Sequence, residues 1–228
     1  MPKLTEPKRS RGRPRHDVLT RERVLTEALA LLDREGADAL TMRHLAATLQ
    51  VSPMALYNHF SGKKDLLRSV AEQLAEQMQF SCDHPDWRER IRFCFRGLRA
   101  GILAHPGAVR LMEGLDEAPL AVFNPMEITL AALEEAGLTG DLALKSYFLL
   151  TNFTMGQVSY EVRGPSDALD PARALAKGHL RGAGFKHIEG TVSFVRWDFD
   201  SAFEFGLAAI IAGLEQIGAD AITPGKRA

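Results

Sequence analysis

The stretch L-T-M-R-H-L-A-A-T-L-Q-V-S-P-M-A-L-Y-N-H-F-S-G-K-K-D-L-L (Leu40–Leu67) places helix starts in quick succession. Thr41 is placed to open a short helix with Met42, Leu45, Ala46 and Leu49 on one face. Only Gln50 and Val51 intervene before Ser52-Pro53, a cap followed by the residue whose missing N–H costs nothing in a first turn. This third helix can run to about His59 or Phe60. S-G-K-K (Ser61–Lys64) then breaks it and leads into a fourth, Asp65 to about Gln79. Upstream, Leu25, Ala28, Leu29 and Leu32 keep helical spacing between a Thr20 cap and a Gly36 stop. Two short helices joined so tightly must cross steeply, the shape of a helix-turn-helix. Val51, Leu56 and Phe60 would face inward and leave Pro53, Met54, Ala55, Asn58 and His59 outward. Such a mixed polar and small apolar face suits base edges and thymine methyls.

The remainder of the 228 residues follows the same helical grammar. Apolar-periodic segments run from Trp87 to Ala104, Asn124 to Ala136, Asp141 to Val162, Pro171 to Leu180 and Asp200 to Ile217; only Thr191–Trp197 is ambiguous. The fold class is therefore all-α. A composition of 46% hydrophobic and 25% charged residues belongs to a globular chain. No uninterrupted apolar run approaches the ~20 residues that span a bilayer, which predicts a cytoplasmic protein with no membrane partner. Cys82 and Cys94, even with His84, lack a second ligand pair at zinc-site spacing, so neither metal nor cofactor is expected. The net charge of −1 hides a polarity: Met1–Arg68 carries 13 Lys+Arg against 8 Asp+Glu, and the remainder 15 against 21. A basic end on an otherwise acidic chain points to nucleic acid at that end.

Leu40–Leu67, with its L-Y-x-H-F-x-x-K core, resembles the DNA-binding half of the tetracycline-repressor (TetR) family of bacterial transcription regulators. T-N-F-T-M-G (Thr151–Gly156) and F-E-F-G-L-A-A-I-I-A-G-L-E (Phe203–Glu215) resemble the C-terminal segments of the tetracycline repressors themselves. The resemblance implies an all-helical homodimer. It would have a basic arm over residues 1–19, a helix-turn-helix domain over 20–66, and a ligand-binding and dimerisation body over 67–228. It implies that Arg43, Met54, Ala55, Tyr57 and Asn58 face double-stranded operator DNA, where Ser52 and Pro53 open the recognition helix, and that His59 and Lys63 lie near phosphates. Arg43 is the candidate for a bidentate guanine contact, and Lys63 gains from the N-terminal end of its helix.

In the body, Phe203, Ile210, Leu214 and Ile217 give the last helix more apolar surface than one buried side needs, and Gly206 and Gly213 would let a partner helix approach. These six residues are the expected dimer face. A mainly apolar effector pocket with a few polar anchors is expected among Cys94, Leu98, Met112, Phe123, Thr129, Tyr147, Phe148, Thr151, Asn152 and Met155. Leu111 falls where the tetracycline repressors carry a metal-binding histidine, and Tyr160 where they carry an acidic ligand. That departure implies an effector other than a magnesium–tetracycline complex.

R-G-R-P-R (Arg11–Arg15) resembles the core of an AT-hook, in which Arg11 and Arg13 would enter a narrow A·T minor groove. A solvated basic tail is the plain alternative. Two further readings stay open. An architectural A·T-rich DNA binder without an effector would use the same arm. A helical enzyme would need more than the scattered Cys94, His105, Glu113 and Tyr160.

Overall fold

The computed structural model describes residues 19–78, 80–107, 111, 115–163, 174, 176–180, 182–192 and 198–222. Among them there are nine α-helices and no strand. α1 (Arg21–Glu35) starts on Thr20, whose hydroxyl accepts from the Arg23 amide, and ends on Gly36 at φ 84°. α2 (Met42–Thr48) is capped by Thr41, and α3 (Pro53–Tyr57) by Ser52 with Pro53 in its first turn. Between them the Val51 amide donates to Ala46 O and the Gln50 amide to Ala47 O, a Schellman pair that turns the chain through Gln50 at φ 57°. α3 stops at Tyr57, short of the expected His59–Phe60. The His59 and Phe60 amides both fold back onto Leu56 O, at 2.9 and 3.0 Å, and close the turn early. α4 (Lys63–Gln77) starts before Asp65. Gly62 offers no capping side chain, and the Asp65 carboxylate inside the first turn takes the Ser61 amide and hydroxyl instead.

Val24, Ala28 and Leu32 of α1, Leu45 of α2, Leu56 and Phe60 at α3, and Leu66 and Val70 of α4 are all but fully buried in one core. A second core lies under the long helices. α5 (Trp87–Ala104) packs on α6 (Asn124–Glu135) and on α7 (Gly140–Arg163), and α7 packs on α9 (Phe199–Ile222). Ile91, Phe95, Leu133, Leu150, Phe203 and Leu207 meet in this core. A 3-10 turn, Leu120–Phe123, precedes α6 and touches α4, while α8 (Lys186–Val192) was not foreseen. Residues 171–173 and 175 of the expected Pro171–Leu180 helix lie outside the described residues, as does 193–197 of the ambiguous segment. That helix does not reach Leu180, because the chain turns through Gly178 at φ 77° with the His179 amide donating to Ala174 O at 2.9 Å. The division expected at residue 66 falls within α4, and Met78 just beyond that helix touches both cores.

Ion pairs join α5 to α9 like rungs: Arg88 to Glu215, Arg96 to both oxygens of Glu204 at 2.6–2.7 Å, and Arg99 to Asp200 at 2.6 Å. Hydrogen bonds from Arg96 hold the Glu204 carboxyl below its ordinary range. α9 is long and apolar enough by composition to cross a membrane. Its Glu204 and Glu215 are nonetheless tied to α5, as suits a helix packed in protein.

Candidate nucleic-acid interface and ligand site

α3 presents part of the outward face that the sequence predicts. Met54 is 70% and Tyr57 50% exposed, while Leu56 one position away is fully buried. Pro53, Asn58 and, across on α2, Arg43 are also exposed. Ala55 and His59 are half-buried, and Ser52 spends its hydroxyl on the Ala55 amide (3.3 Å). Lys63 sits at the first position of α4, with Nζ donating to Ala37 O at 3.3 Å. The short turn through Gln50 joins α2, with Arg43 exposed, to α3, with Met54 and Tyr57 exposed. Arg11 and Arg13 lie outside the described residues.

The expected pocket residues fall into groups. Cys94 and Thr129 are wholly buried against each other: Sγ lies 3.7 Å from Thr129 Oγ1, which itself donates to Pro125 O at 2.6 Å. Burial pushes the Cys94 thiol up to about 11, with the Thr129 contact opposing. Leu98, Tyr147, Thr151 and Met155 are half-buried. Burial raises the Tyr147 phenol above its usual value and the neighbouring Thr151 hydroxyl opposes the shift. The approach of Thr151 Oγ1 to the phenol falls short of hydrogen-bond geometry, so this atom, like Thr154 Oγ1, is buried without a partner among the described residues. Phe148 and Asn152 of α7 are exposed, and Phe123 is exposed at the end of the 3-10 turn. Met112 lies outside the described residues. An open groove of about 510 Å3 between α4 and α5, walled by Leu74, Met78, Phe93 and Gly101 and ending at His105, includes none of the expected effector-pocket residues.

The six expected dimer residues also divide. Phe203 and Leu214 are buried in the chain's own core, and Ile210 packs against it. Gly206 accommodates Phe153, whose ring stacks on Phe203 with centroids 5.7 Å apart. Gly213 and Ile217 are exposed. Outward with them stand Phe205, 78% exposed, and Leu144, Phe148 and Leu149 of α7.

A seam fastens the two cores together, and sequence reasoning missed it. Asp33, near the end of α1, accepts from His105 Nδ1 (2.8 Å) and from the Gly107 amide (3.1 Å), so one carboxylate holds the end of α5. Gly107 lies so close to Leu32 that a Cβ there would stand 2.6 Å from its carbonyl oxygen. Leu111 is buried in the core of the head with Leu115 packed beside it, and Lys64 pairs with Asp116 at 2.5 Å. Leu111 is also the position where the resemblance places a metal-binding histidine. No cluster of three metal-ligating side chains occurs among the described residues.

Comparison with known proteins matches residues 24–70 to "Bacterial regulatory proteins, tetR family" and residues 82–217 to "Tetracyclin repressor-like, C-terminal domain". An HTH-type transcriptional regulator of Saccharopolyspora erythraea is 32% identical over 214 residues, covering 91% of this chain and 88% of its own. The class A tetracycline repressor from transposon 1721 of Escherichia coli is 34% identical over 194 residues, covering 84% and 88%. The Streptomyces coelicolor TetR family protein ActR, solved in complex with actinorhodin, superposes with a TM-score of 0.70 at 30% identity, covering 87% of this chain and 96% of its own. With both halves matched and a helix-turn-helix DNA-binding head in place, the chain belongs to the tetR family of bacterial transcription regulators.

Proposed function

We propose that the protein is a cytoplasmic homodimeric repressor that binds a palindromic operator through α3 and releases it when a small molecule enters the body. The observation that carries this reading is the outer face of α3. A five-residue helix turns Met54 and Tyr57 to solvent while Leu56 and Phe60 anchor it to the core. Large exposed side chains on a capped helix are what direct base readout requires, and Arg43 adds a guanidinium beside them. So short a helix reads few bases, and two copies about one helical turn (~34–36 Å) apart supply the rest of the site.

The exposed apolar residues of α7 and α9 support the dimer, since Phe148, Leu149, Phe205 and Ile217 need cover. Tyr147 and the unpartnered hydroxyls of Thr151 and Thr154 offer neutral anchors for a mainly apolar effector. ActR, which holds actinorhodin in its solved complex, supports a small molecule as the class of ligand. Binding would act on the heads through the seam of Asp33, His105, Gly107 and Leu111, with coupling on the order of 1–3 kcal/mol. In the arm, Arg11 and Arg13 would read A·T pairs flanking the operator in the minor groove.

Footprinting on the DNA beside the gene tests the reading, with and without a panel of small aromatic compounds that includes actinorhodin. A short protected palindrome that one compound releases is the expected result. Extended protection of A·T tracts would favour an architectural binder, and a footprint that no compound alters would remove the effector. Deleting residues 1–15 should weaken binding selectively at operators flanked by A·T pairs; uniform weakening on every duplex would make the arm a plain basic tail.

A further inference from the structure

α3 is held to the core by two side chains, Leu56 and Phe60, both all but fully buried. They lie four residues apart, almost along one line, and such a pair resists lifting better than it resists tilting. The entry of α3 is fixed by the Ser52 cap. Its exit is where the chain leaves through Asn58 and His59, and the His59 carbonyl lies beyond the helix with no intrahelical donor.

Arg21, the first residue of α1, fills that vacancy. Nη1 donates to His59 O at 2.8 Å, and Nη2 donates to Ser69 Oγ of α4 at 2.5 Å. The guanidinium carbon stands 4.4 Å from the centre of the Phe60 ring. Ser69 is 6% exposed and donates its own hydrogen bond to Asp65 O (2.9 Å), so its hydroxyl is fixed as an acceptor toward Arg21. One planar group thus joins α1, the exit of α3, the aromatic anchor and α4.

We infer that Arg21 is a positioning residue for operator reading: by bridging His59 O and Ser69 Oγ it fixes the tilt of α3 and ties it to α4. The inference rests on the proposed role of α3 in reading DNA. Base contacts survive only small displacements, which is why the groups that support them matter as much as the contacts. A lysine keeps the charge but cannot span two acceptors with a rigid fork.

The test compares Arg21→Met, Arg21→Lys and Ser69→Ala in the full-length protein. Affinities are measured for the duplex that the wild type selects from a random pool and for a scrambled duplex, across a salt series, together with Tm. The expected result is that Arg21→Met lowers the selected-to-scrambled affinity ratio about tenfold, the scale of one lost base contact, with an unchanged salt slope. Arg21→Lys should not rescue it, and Ser69→Ala should lower the ratio in the same direction. Equal weakening on both duplexes with the salt slope reduced by about one would make Arg21 a phosphate contact and overturn the inference. Full rescue by lysine, or losses that merely follow Tm, would overturn it too. If the wild type itself selects no duplex, the role of α3 fails and the inference with it. A selective wild type beside an equally selective Arg21→Met protein sinks the inference alone.

Discussion

The head and the body solve the burial problem in opposite ways. In the head, the apolar residues of α1 to α4 close over one another so that the exposed exceptions, Met54 and Tyr57, stand out on α3. The long helices of the body bury one face within the chain and leave Leu144, Phe148, Leu149, Phe205 and Ile217 outside. Under the proposed function, exposed apolar groups would mean different things in the two regions: a reading surface in the head, and a surface for a second copy in the body. The body also tolerates buried hydroxyls without partners, at Thr151 and Thr154, which the head does not show among the described residues.

The largest expected effect comes from denying the body its partner. Phe205→Glu together with Phe148→Glu should give a monomer by sedimentation, with operator affinity reduced by a hundredfold or more, about the scale of lost bivalency. Thermal unfolding of the head should be unchanged. A stable dimer would mean that another surface joins the subunits. Next in size is the seam. Gly107→Ala places a Cβ 2.6 Å from the Leu32 carbonyl oxygen, and forcing that contact costs about 1–3 kcal/mol. Faster amide exchange at the end of α1 is the expected sign, and unaltered protection there would show that head and body are not fastened at this point.

Thr154→Val removes a hydroxyl with no partner and should stabilise the protein by about 1 kcal/mol in denaturant titration. A loss of stability would mean that the hydroxyl is satisfied in solution. The smallest effect concerns Cys94. Its thiol is raised from 9.0 to about 11 by burial, so the unfolded chain ionises first and stability should fall as pH rises from about 9 to 11. Near neutral pH, iodoacetamide should modify Cys82 and spare Cys94 until the protein unfolds. Equal labelling of both would show that the α5–α6 core opens.

How much could be read from sequence followed the same division. Helix ends written in capping residues were legible: Thr20, Thr41 and Ser52 all cap as expected, and Trp87–Ala104 has the expected bounds. Ends fixed by other means were not. α3 stopped early because two amides share Leu56 O, and α4 began early because Asp65 caps from inside the helix. α8 is a seven-residue helix containing Gly190 and carries no repeating apolar pattern to find. In the body, the small residues of α9 looked alike in sequence. Gly206 accommodates Phe153 of the same chain, whereas among the described residues nothing stands within 4 Å of where a Cβ on Gly213 would lie. Arg21, Asp33 and His105 act through partners 38 to 74 residues away, and no local pattern announces such contacts.

The claim that joins the two regions is that the body holds two heads at one fixed separation. It is tested most directly by inserting base pairs at the centre of the operator palindrome and titrating the full-length protein against each duplex. Five inserted pairs, about half a helical turn, should abolish specific binding because the second half-site then faces away. Ten should restore little, since the body cannot extend by a further turn. Affinity that is indifferent to spacing would contradict the account and leave the heads as independent readers.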